Sequence, residues 1–350
     1  MSPPTVVARL TPSGPAGLGT IALVGPAALS ISRSLFSQGR AGDLKPGQPY
    51  YGWFGDDARD DVVLGVDEQS AEPTVEISCH GGPALIERLI ADIAKYGAYQ
   101  VDWRTAERLR GRSEFQSDAL AFLARAVTAR TAAILLDQVN GALDRAFAAA
   151  RAEATKALAV LKWSDVGRWL ERPARVVLFG LPNAGKSTLF NALVGYSRLV
   201  TSPAAGTTRD VVSELISMDG WPVELSDGAG LGDQASLLEA EAMRRIGLAL
   251  EDADLRVLVE DASSPNPEAE RLVSAFEPGI IVANKMDLPG TSASWPQAIR
   301  CSAATGQGVQ QVREAILNSL VPEIPPPGTA VPFLERHRQI FRDLASSTAS

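Results

Sequence analysis

A glycine-rich segment over residues 180–187 has the residue types and spacing of a phosphate-binding loop. It reads G-L-P-N-A-G-K-S, fits G-x-x-x-x-G-K-[ST] at every fixed position, and stands between a strand-like run and a helical pattern. In that context the backbone N–H groups cradle phosphates, Lys186 neutralises phosphate charge, and the Ser187 hydroxyl binds Mg²⁺. The predicted nucleotide contacts in this segment are Asn183, Ala184, Gly185, Lys186, Ser187 and Thr188.

A second motif predicts which base is bound. Residues 284–287 read N-K-M-D and follow an apolar run, and residues 302–304 read S-A-A. The carboxylate of Asp287 can accept hydrogen bonds from N1–H and the exocyclic amine of guanine, which adenine does not offer. The predicted nucleotide is therefore GTP rather than ATP. The expected contacts to the base come from Asn284, Lys285, Asp287, Ser302 and Ala303.

Two further segments complete a set that is typical of GTP hydrolysis. Residues 227–230 read D-G-A-G, so Asp227 is expected to hold Mg²⁺ through water and the Gly230 amide to contact the γ-phosphate. This quartet alone is also compatible with a glycine-rich turn. Residues 206–210 read G-T-T-R-D, in which Thr208 is expected to complete the Mg²⁺ shell. We predict an enzyme that converts GTP to GDP and phosphate, with Lys186 and Thr208 acting in catalysis.

The composition of the 350 residues restricts the class of protein. The chain is 45% hydrophobic and 21% charged, with a formal net charge of -8, which is typical of globular domains and disfavours binding nucleic acid by charge alone. Because it has no signal-peptide pattern and no apolar run of membrane-spanning length, we expect a cytoplasmic protein without membrane contact. Cys79 and Cys301 are expected to be core thiols rather than a disulfide.

The elements that must position these motifs divide the chain into four predicted segments. Residues 1–112 mix strand-like and helical patterns, whereas residues 113–171 are rich in Ala, Leu and Arg and predict one or two long helices, interrupted at Asn140-Gly141. Residues 172–321 alternate apolar strands with helices, as a Ras-like P-loop domain with a parallel α/β sheet does. Residues 322–350 predict a C-terminal helix that packs on the helical segment.

The combined motifs resemble those of the translation-factor-related bacterial GTPases, and among them most closely the MnmE (TrmE) family of tRNA-modification GTPases. The shared features of the G domain are G-x-P-N-A-G-K-S, G-T-T-R-D and N-K-x-D. Residues 11–19, T-P-S-G-P-A-G-L-G, resemble the opening segment of that family. Residues 75–83, V-E-I-S-C-H-G-G-P, match its E-x-x-C-H-G-G-P segment closely. The resemblance therefore covers most of the chain.

The resemblance implies an architecture, partners and cofactors. The implied fold is α/β, with a Ras-like G domain, an α+β folate-binding-like N-terminal domain and a helical connector. The N-terminal domain is expected to form a homodimer and to bind a tetrahydrofolate derivative. The implied partners are an MnmG-like flavoprotein and tRNA, in which the wobble uridine is modified. The resemblance also implies K⁺-stimulated hydrolysis when two G domains meet.

The family pattern assigns further residues to the hydrolysis site. Asn183 matches the asparagine that binds K⁺, and three residues lie where the K-loop supplies more oxygens: Ser202, Ala204 and Thr207. Glu239 lies at the position of the glutamate that orients the attacking water. Glu241 is a close competitor, and either residue is also compatible with a solvated helix carboxylate.

In the implied folate site, Glu76 matches a family residue and is expected to bind the pterin, although a simple strand carboxylate explains it equally well. Arg112 stands where the family has a lysine, and Ala22 stands where it has an arginine. His80 is compatible with a catalytic base or, more simply, a structural hydrogen bond. Cys79 is expected to lie in the core.

Departures from the family pattern lead us to expect a shortened or divergent member. The sequence has no C-I-G-K-like cysteine motif after the helix around residues 335–338. Two alternatives therefore stay open. One is a ribosome-assembly type of GTPase, and the other is a GTP-switched binding or scaffold protein without tRNA-modifying chemistry.

Overall fold

A computed structural model of the chain describes residues 3–37, 44–56, 59–199, 212–228 and 240–346. It contains two compact units, Met1–Asp118 and Ala119–Ser350. Within the described ranges, no helix has both the length and the apolar character needed to cross a membrane.

Seven strands form one sheet in the described part of the first unit. In chain order they are β1 Val6–Arg9, β2 Leu18–Val24, β3 Phe36–Ser37, β4 Tyr50–Phe54, β5 Asp60–Asp67, β6 Thr74–His80 and β7 Tyr99–Gln100. Their order across the sheet is β3-β4-β5-β6-β2-β1-β7, and all pairs are antiparallel except β1 with β7. Because strand side chains alternate between faces, one face carries an apolar core that includes Val7, Ile21, Leu23, Val62, Leu64, Val75 and Ile77.

Two helices, α1 (Ala28–Leu35) and α2 (Pro83–Lys95), contribute to this core. Pro83 lies in the first turn of α2, where its missing N–H removes no helical hydrogen bond. The buried residues of α2 recur at three- and four-residue spacing, which places them on one face against the sheet: Ile86, Leu89, Ile90 and Ile93.

The opposite face of this sheet has a covered end and an exposed end. Helix α3 (Trp103–Leu109) begins after Asp102, whose carboxylate accepts two backbone N–H bonds of the first turn. Its Ala106 packs against residues of β1 and β2. Farther along this face the exposed large side chains are Leu18, Tyr51, Trp53 and Val63, with exposed fractions of 67%, 61%, 53% and 42%. We call these four residues the exposed sheet face.

The segment that the sequence predicts as one or two long helices is divided into shorter ones. They are α4 Glu114–Leu123, α5 Ala129–Val139, α6 Ala142–Ala152, α7 Thr155–Leu161 and α8 Ser164–Glu171. Thr128 starts α5 because its hydroxyl accepts the backbone N–H of Thr131. Gly141 has a left-handed φ of 82° and separates α5 from α6, at the break that the sequence predicts. The prediction of long helices was therefore wrong.

The described part of the second unit contains a second seven-stranded sheet. Its strands are β8 Ala174–Phe179, β9 Arg198–Leu199, β10 Val212–Met218, β11 Trp221–Asp227, β12 Leu255–Asp261, β13 Ile280–Asn284 and β14 Ile299–Arg300. Their order is β14-β13-β12-β8-β11-β10-β9, with β8 at the centre between its parallel neighbours β11 and β12. The carboxyl ends of these parallel strands share one edge, where ligands of open α/β sheets bind.

The helices of this part are α9 Lys186–Gly195, α10 Ala240–Glu251, α11 Glu268–Phe276, α12 Val309–Leu320 and α13 Glu335–Ser346. Helix α13 packs against α6 and α7, and Phe333 just before it makes an edge-on ring contact of 5.5 Å with Phe122. Helix α9 begins directly after the loop that follows β8, so the glycine-rich segment lies at the sheet edge.

Candidate functional site

The loop between β8 and α9 has a backbone that only certain residue types can adopt. Gly180 has a φ of 150°, and a Cβ there would clash with the carbonyl oxygen of Val259. Gly185 has a φ of 89°, and a Cβ there would clash with the Asn284 amide. Asn183 has a φ of 62°, a left-handed conformation that asparagine tolerates better than most residues. These constraints explain why the loop needs glycine at both ends.

Lys186 and the first turn of α9 form the cationic side of this loop. The Lys186 side chain is 6% exposed, and its Nζ donates to the carbonyl oxygen of Leu181 at 2.9 Å, which holds the ammonium across the loop. Ser187 and Thr188 follow in the first helical turn and are exposed. Free N–H groups at a helix N-terminus together with a lysine ammonium suit a phosphate.

Asp227 ends β11 and lies beside the strand that leads into this loop. Its Cα is the register partner of Leu178 in β8, and it is only 6% exposed. A carboxylate in this position, close to the loop yet on another strand, suits indirect contact with a metal ion bound to phosphate.

Asn284 connects the phosphate loop to the segment that is expected to bind the base. It is 2% exposed, its Nδ2 donates to the carbonyl oxygen of Ala184 at 3.0 Å, and its Oδ1 accepts the backbone N–H of Ala303 at 2.9 Å. Ser302 is fully buried, and its Oγ accepts the backbone N–H of Thr305. One amide side chain therefore holds two loops in a common position.

Lys285 and Asp287 lie in the loop that follows the end of β13 at Asn284. Lys285 has a φ of 64°, and its Nζ donates to Asp261 at 2.6 Å. Burial favours a higher pKa for Asp261, but hydrogen bonds from Lys285 and Ser263 outweigh it, so the pKa lies below its ordinary value. The Asp287 side chain is exposed, which leaves its carboxylate accessible to a base.

The structure therefore brings together one group of the predicted site residues, on three neighbouring loops of the sheet edge: Ala184, Gly185, Lys186, Asn284, Lys285, Ser302 and Ala303. Another group lies outside the described residues: Ser202, Ala204, Thr207, Thr208, Gly230 and Glu239. Glu241, the competitor of Glu239, lies in α10, but its side chain is not described.

Asp261 is a functional candidate that sequence reasoning missed. It ends β12, next to β13, and is the ion-pair partner of Lys285. The signal in the sequence was its place directly after the run Val257-Leu258-Val259-Glu260, at the carboxyl end of a parallel strand.

A polar cleft of about 540 Å³ in the first unit contains both predicted folate-site residues, Glu76 and Arg112. Arg110 lies between them, is 8% exposed in its side chain, and donates to Glu76 at 2.7 Å and to Glu107 at 2.8 Å. Arg112 pairs with the same Glu107, which is 2% exposed. Glu76 keeps 41% of its side-chain surface exposed and so retains acceptor capacity toward the cleft.

Asp67 also lines this cleft and accepts from Arg110 at 2.8 Å. Burial favours a higher pKa for Asp67, but the hydrogen bond from Arg110 contributes most to the opposing shift, and the pKa is lowered. Sequence reasoning missed Arg110, although it lies only two residues before Arg112. The cleft is thus a set of alternating cations and carboxylates in which the arginines already have partners.

The adjacent residues Cys79 and His80 have different environments. Cys79 is buried, free, and its pKa is raised to about 11, chiefly by burial, so it is a core thiol and not an activated nucleophile. His80 is exposed, and its Nδ1 lies 2.9 Å from Asp60 Oδ1. Cys301 is likewise buried and free.

Comparison with family models identifies two separate matches along this chain. Residues 5–117 match the model described as the GTP-binding protein TrmE N-terminus. Residues 175–285 match the model described as a 50S ribosome-binding GTPase.

Curated relatives extend over nearly the whole chain. The tRNA modification GTPase MnmE of Chloroflexus aurantiacus is 32% identical over 97% of this chain and 87% of its own length. The protein of the same name from Geobacter sulfurreducens is 29% identical over 91% of this chain and 81% of its own length. Among solved structures, the G domain of the T. maritima FeoB iron transporter is 26% identical and covers 42% of this chain with 99% of its own, at a TM-score of 0.32.

Proposed function

This chain belongs to the MnmE family of tRNA modification GTPases, and we propose that it hydrolyses GTP in the course of modifying the wobble uridine of tRNA. The observation that supports the proposal most is the arrangement around Asn284, whose side chain joins the phosphate loop to the base-binding loop. This connection holds the phosphate loop and the base loop in the relative position that binding of one nucleotide requires.

In the proposed complex the described residues bind and orient GTP. Lys186 and the N–H groups at the start of α9 contact the β- and γ-phosphates, and the exposed Asp287 selects guanine. Ser302 and Ala303 are assigned to the loop behind the ring, which is held in place because their N–H groups donate to Gln307 and Asn284. Ser187 and Thr208 are the proposed Mg²⁺ ligands, with Asp227 acting through water. Mg²⁺ bound there offsets the negative charge that develops on the phosphates.

The finer mechanism that we propose uses K⁺ in place of an arginine finger. Asn183 supports this role, because its side chain is exposed on the phosphate loop and is held there by a left-handed backbone. The remaining K⁺ contacts are assigned from the family pattern to Ser202, Ala204 and Thr207. Glu239 is the proposed residue that orients water. A monovalent cation in this position offsets charge on the transferring phosphoryl group.

A tetrahydrofolate derivative is the ligand that we propose for the cleft of the first unit. The polar residues of the cleft fit this ligand. The side chain of Glu76 is 41% exposed and can accept hydrogen bonds from the N–H groups of a pterin. Arg112 lines the same cleft and suits the carboxylates of the folate tail. The cleft volume of about 540 Å³ is within the range of small-molecule sites.

We also propose a homodimer formed through the first unit, with an MnmG-like flavoprotein as partner. The exposed sheet face supports the homodimer, since Tyr51, Trp53 and Val63 are contiguous on β4 and β5 and stay in contact with water in the single chain. The flavoprotein follows from the family pattern alone, and the cytoplasmic location remains the expectation drawn from the sequence.

The proposal can be tested by measuring modified wobble uridine in tRNA after deletion of the gene. We expect the modified nucleoside to disappear and to return with the wild-type gene but not with Lys186→Ala. Lys156→Ala, which changes an exposed lysine on α7, serves as the matched control and should restore modification. Unchanged modification in the deletion strain would contradict the proposal.

A second candidate function is ribosome assembly, which the description of the matched G-domain model favours. The N-terminal match over residues 5–117 counts against it, because it assigns the first unit to the TrmE type. Cosedimentation with ribosomal subunits in a GTP-dependent manner, combined with normal tRNA modification in the deletion strain, would support this candidate instead.

A further inference from the structure

His80 has no role in the proposed nucleotide or folate site, although it belongs to the motif shared with the family. It ends β6, and Asp60 and Asp61 begin the neighbouring antiparallel strand β5. The backbone N–H of His80 donates to Asp60 Oδ2 at 3.1 Å, which fixes the two strand ends relative to each other. Two carboxylates and one imidazole therefore meet at one point of the sheet.

The spacing of these three side chains is that of ligands around one metal ion. His80 Nδ1 lies 2.9 Å from Asp60 Oδ1 and 3.5 Å from Asp61 Oδ1, and one ligand atom from each residue lies within 4.8 Å of the others. Metal bonds of about 2.0–2.2 Å place neighbouring ligand atoms about 3.0 Å apart in an octahedron and about 3.4 Å apart in a tetrahedron. The two distances from His80 fall close to these values, and the two carboxylates lie within 4.8 Å of each other, so an ion can be held between these atoms after a small adjustment of the side chains.

The charge of the cluster also favours a cation. Among the described residues, Asp60 and Asp61 form no ion pair with lysine or arginine, and their hydrogen-bond donors are His80 and the Tyr51 hydroxyl at 3.2 Å from Asp61. A divalent ion bound here would therefore neutralise the charge of both carboxylates.

The types of ligand indicate which ions suit the site. One imidazole nitrogen with two carboxylate oxygens is a set that Zn²⁺ and neighbouring transition ions accept, whereas Mg²⁺ and Ca²⁺ prefer oxygen alone. The side chain of His80 is 62% exposed and that of Asp61 is 34% exposed. Water molecules can therefore fill the remaining coordination positions of a bound ion. Cys79 cannot contribute, because it points into the core from the other face of β6.

We propose that Asp60, Asp61 and His80 bind one divalent transition-metal ion of the Zn²⁺ class on the exposed side of the first sheet. The site is independent of the Mg²⁺ that accompanies GTP, since it belongs to the first unit and uses no residue of the phosphate loop. Trp53, a member of the exposed sheet face and 53% exposed in the single chain, lies beside the site as the register partner of Asp61 and provides an intrinsic reporter. The site therefore borders the surface that we propose for the homodimer.

The direct test is calorimetric titration of Zn²⁺ into the full-length, tag-free chain without nucleotide and with excess Mg²⁺ present. We expect one Zn²⁺ per chain, and a loss of affinity of at least about 10-fold in His80→Gln and in Asp61→Asn. Glu87→Gln is the matched control, because it removes an exposed carboxylate from α2, away from the cluster. Equal Zn²⁺ binding by His80→Gln and the wild type would overturn the proposal, and so would an equal loss in Glu87→Gln.

A second measurement keeps the test independent of calorimetry. Cu²⁺ bound at the cluster should quench the fluorescence of Trp53 with the same stoichiometry as Zn²⁺, and Zn²⁺ added first should prevent it. Trp53→Phe identifies the tryptophan that is quenched, and circular dichroism verifies that each variant is folded. Quenching that persists in His80→Gln would place the ion elsewhere and overturn the proposal.

Discussion

The two hydrogen bonds of Asn284 have a direct consequence for nucleotide affinity. Both lie in buried surroundings, so losing the side chain leaves the carbonyl of Ala184 and the N–H of Ala303 without their partner. Each such loss costs about 1–1.5 kcal/mol. We therefore predict that Asn284→Ala weakens GTP binding about 30- to 150-fold, measured by titration with a fluorescent GTP analogue.

Gln310→Ala is the control for this prediction, because Gln310 is exposed on α12 and, within the described part of the chain, its side chain bonds to Glu314 of the same helix. Its affinity for the analogue should match the wild type. A wild-type affinity in Asn284→Ala would mean that the two loops keep their positions without the connecting side chain.

At the level of residues, the sequence predicted which residue types the nucleotide site contains, but not the hydrogen bonds and ion pairs that hold them in place. The N-K-M-D motif identified Asn284 as a base contact, whereas its bonds to Ala184 and Ala303 depend on the approach of loops about a hundred and about twenty residues away. Asp261 and Arg110 were missed for the same reason, since their partners Lys285 and Glu76 are distant in sequence. The prediction of two free core cysteines was confirmed.

An arginine clamp joins the end of α8 to the turn after α10. Arg172 donates from Nη1 and Nη2 to the two carboxylate oxygens of Asp254 at 2.6 and 2.8 Å, and Asp254 also accepts the backbone N–H of Arg175. The Asp254 side chain is 8% exposed, so removing the arginine leaves a largely buried charge with fewer partners. Such a loss is costly in a folded protein.

We predict that Arg172→Met lowers the free energy of unfolding by about 1–3 kcal/mol, seen as a fall in the thermal midpoint of about 2–4 °C per kcal/mol. Lys156→Met removes an exposed ion pair with Glu153 and should have little effect. Equal midpoints for Arg172→Met and the wild type would show that the clamp contributes nothing to stability.

The same clamp predicts a dependence on pH. Burial favours a higher pKa for Asp254, but the hydrogen bond from Arg172 and the other contacts outweigh it, so the folded pKa lies below the ordinary value of 3.8. A lowered carboxyl pKa stabilises the fold above the unfolded pKa and loses that effect as the pH falls through the folded value. The difference in thermal midpoint between the wild type and Arg172→Met should therefore be largest at neutral pH and should shrink in acid below about pH 4.

At the level of elements, apolar periodicity correctly predicted the parallel strands β8, β11, β12, β13 and β14 and the buried face of α2. The second sheet is nevertheless mixed, because β10 pairs antiparallel with both β9 and β11. It failed in the segment 113–171, where alanine-rich sequence allows helix almost anywhere and the ends depend on single residues such as Thr128 and Gly141. The predicted boundaries of the four segments, 1–112, 113–171, 172–321 and 322–350, remain a prediction.

For the whole molecule, the exposed sheet face makes the proposed homodimer testable. Trp53→Glu places a charge among exposed apolar side chains, and burying that charge in an interface is unfavourable. We predict that the variant sediments as a monomer under conditions in which the wild type sediments as a dimer. Leu158→Glu, at a 61% exposed position on α7, is the control and should leave the assembly unchanged.

Membership of the MnmE family and the predicted fold class, a Ras-like G domain with a TrmE-type N-terminal domain, were both confirmed. The segment that ends in C-H-G-G-P was the main sequence signal for the first unit. The acid and imidazole cluster around His80 was not predictable in the same way, since pairing of β5 with β6 brings Asp60 to a residue twenty positions later.

The most direct test of the account is GTP turnover by the purified chain in K⁺ compared with Na⁺ buffer, with Asn183→Ala measured alongside. We predict that the wild type hydrolyses GTP faster in K⁺ and that Asn183→Ala loses this stimulation while still binding the nucleotide. Turnover that is the same in both cations, or K⁺ stimulation that survives in Asn183→Ala, would contradict the proposed mechanism.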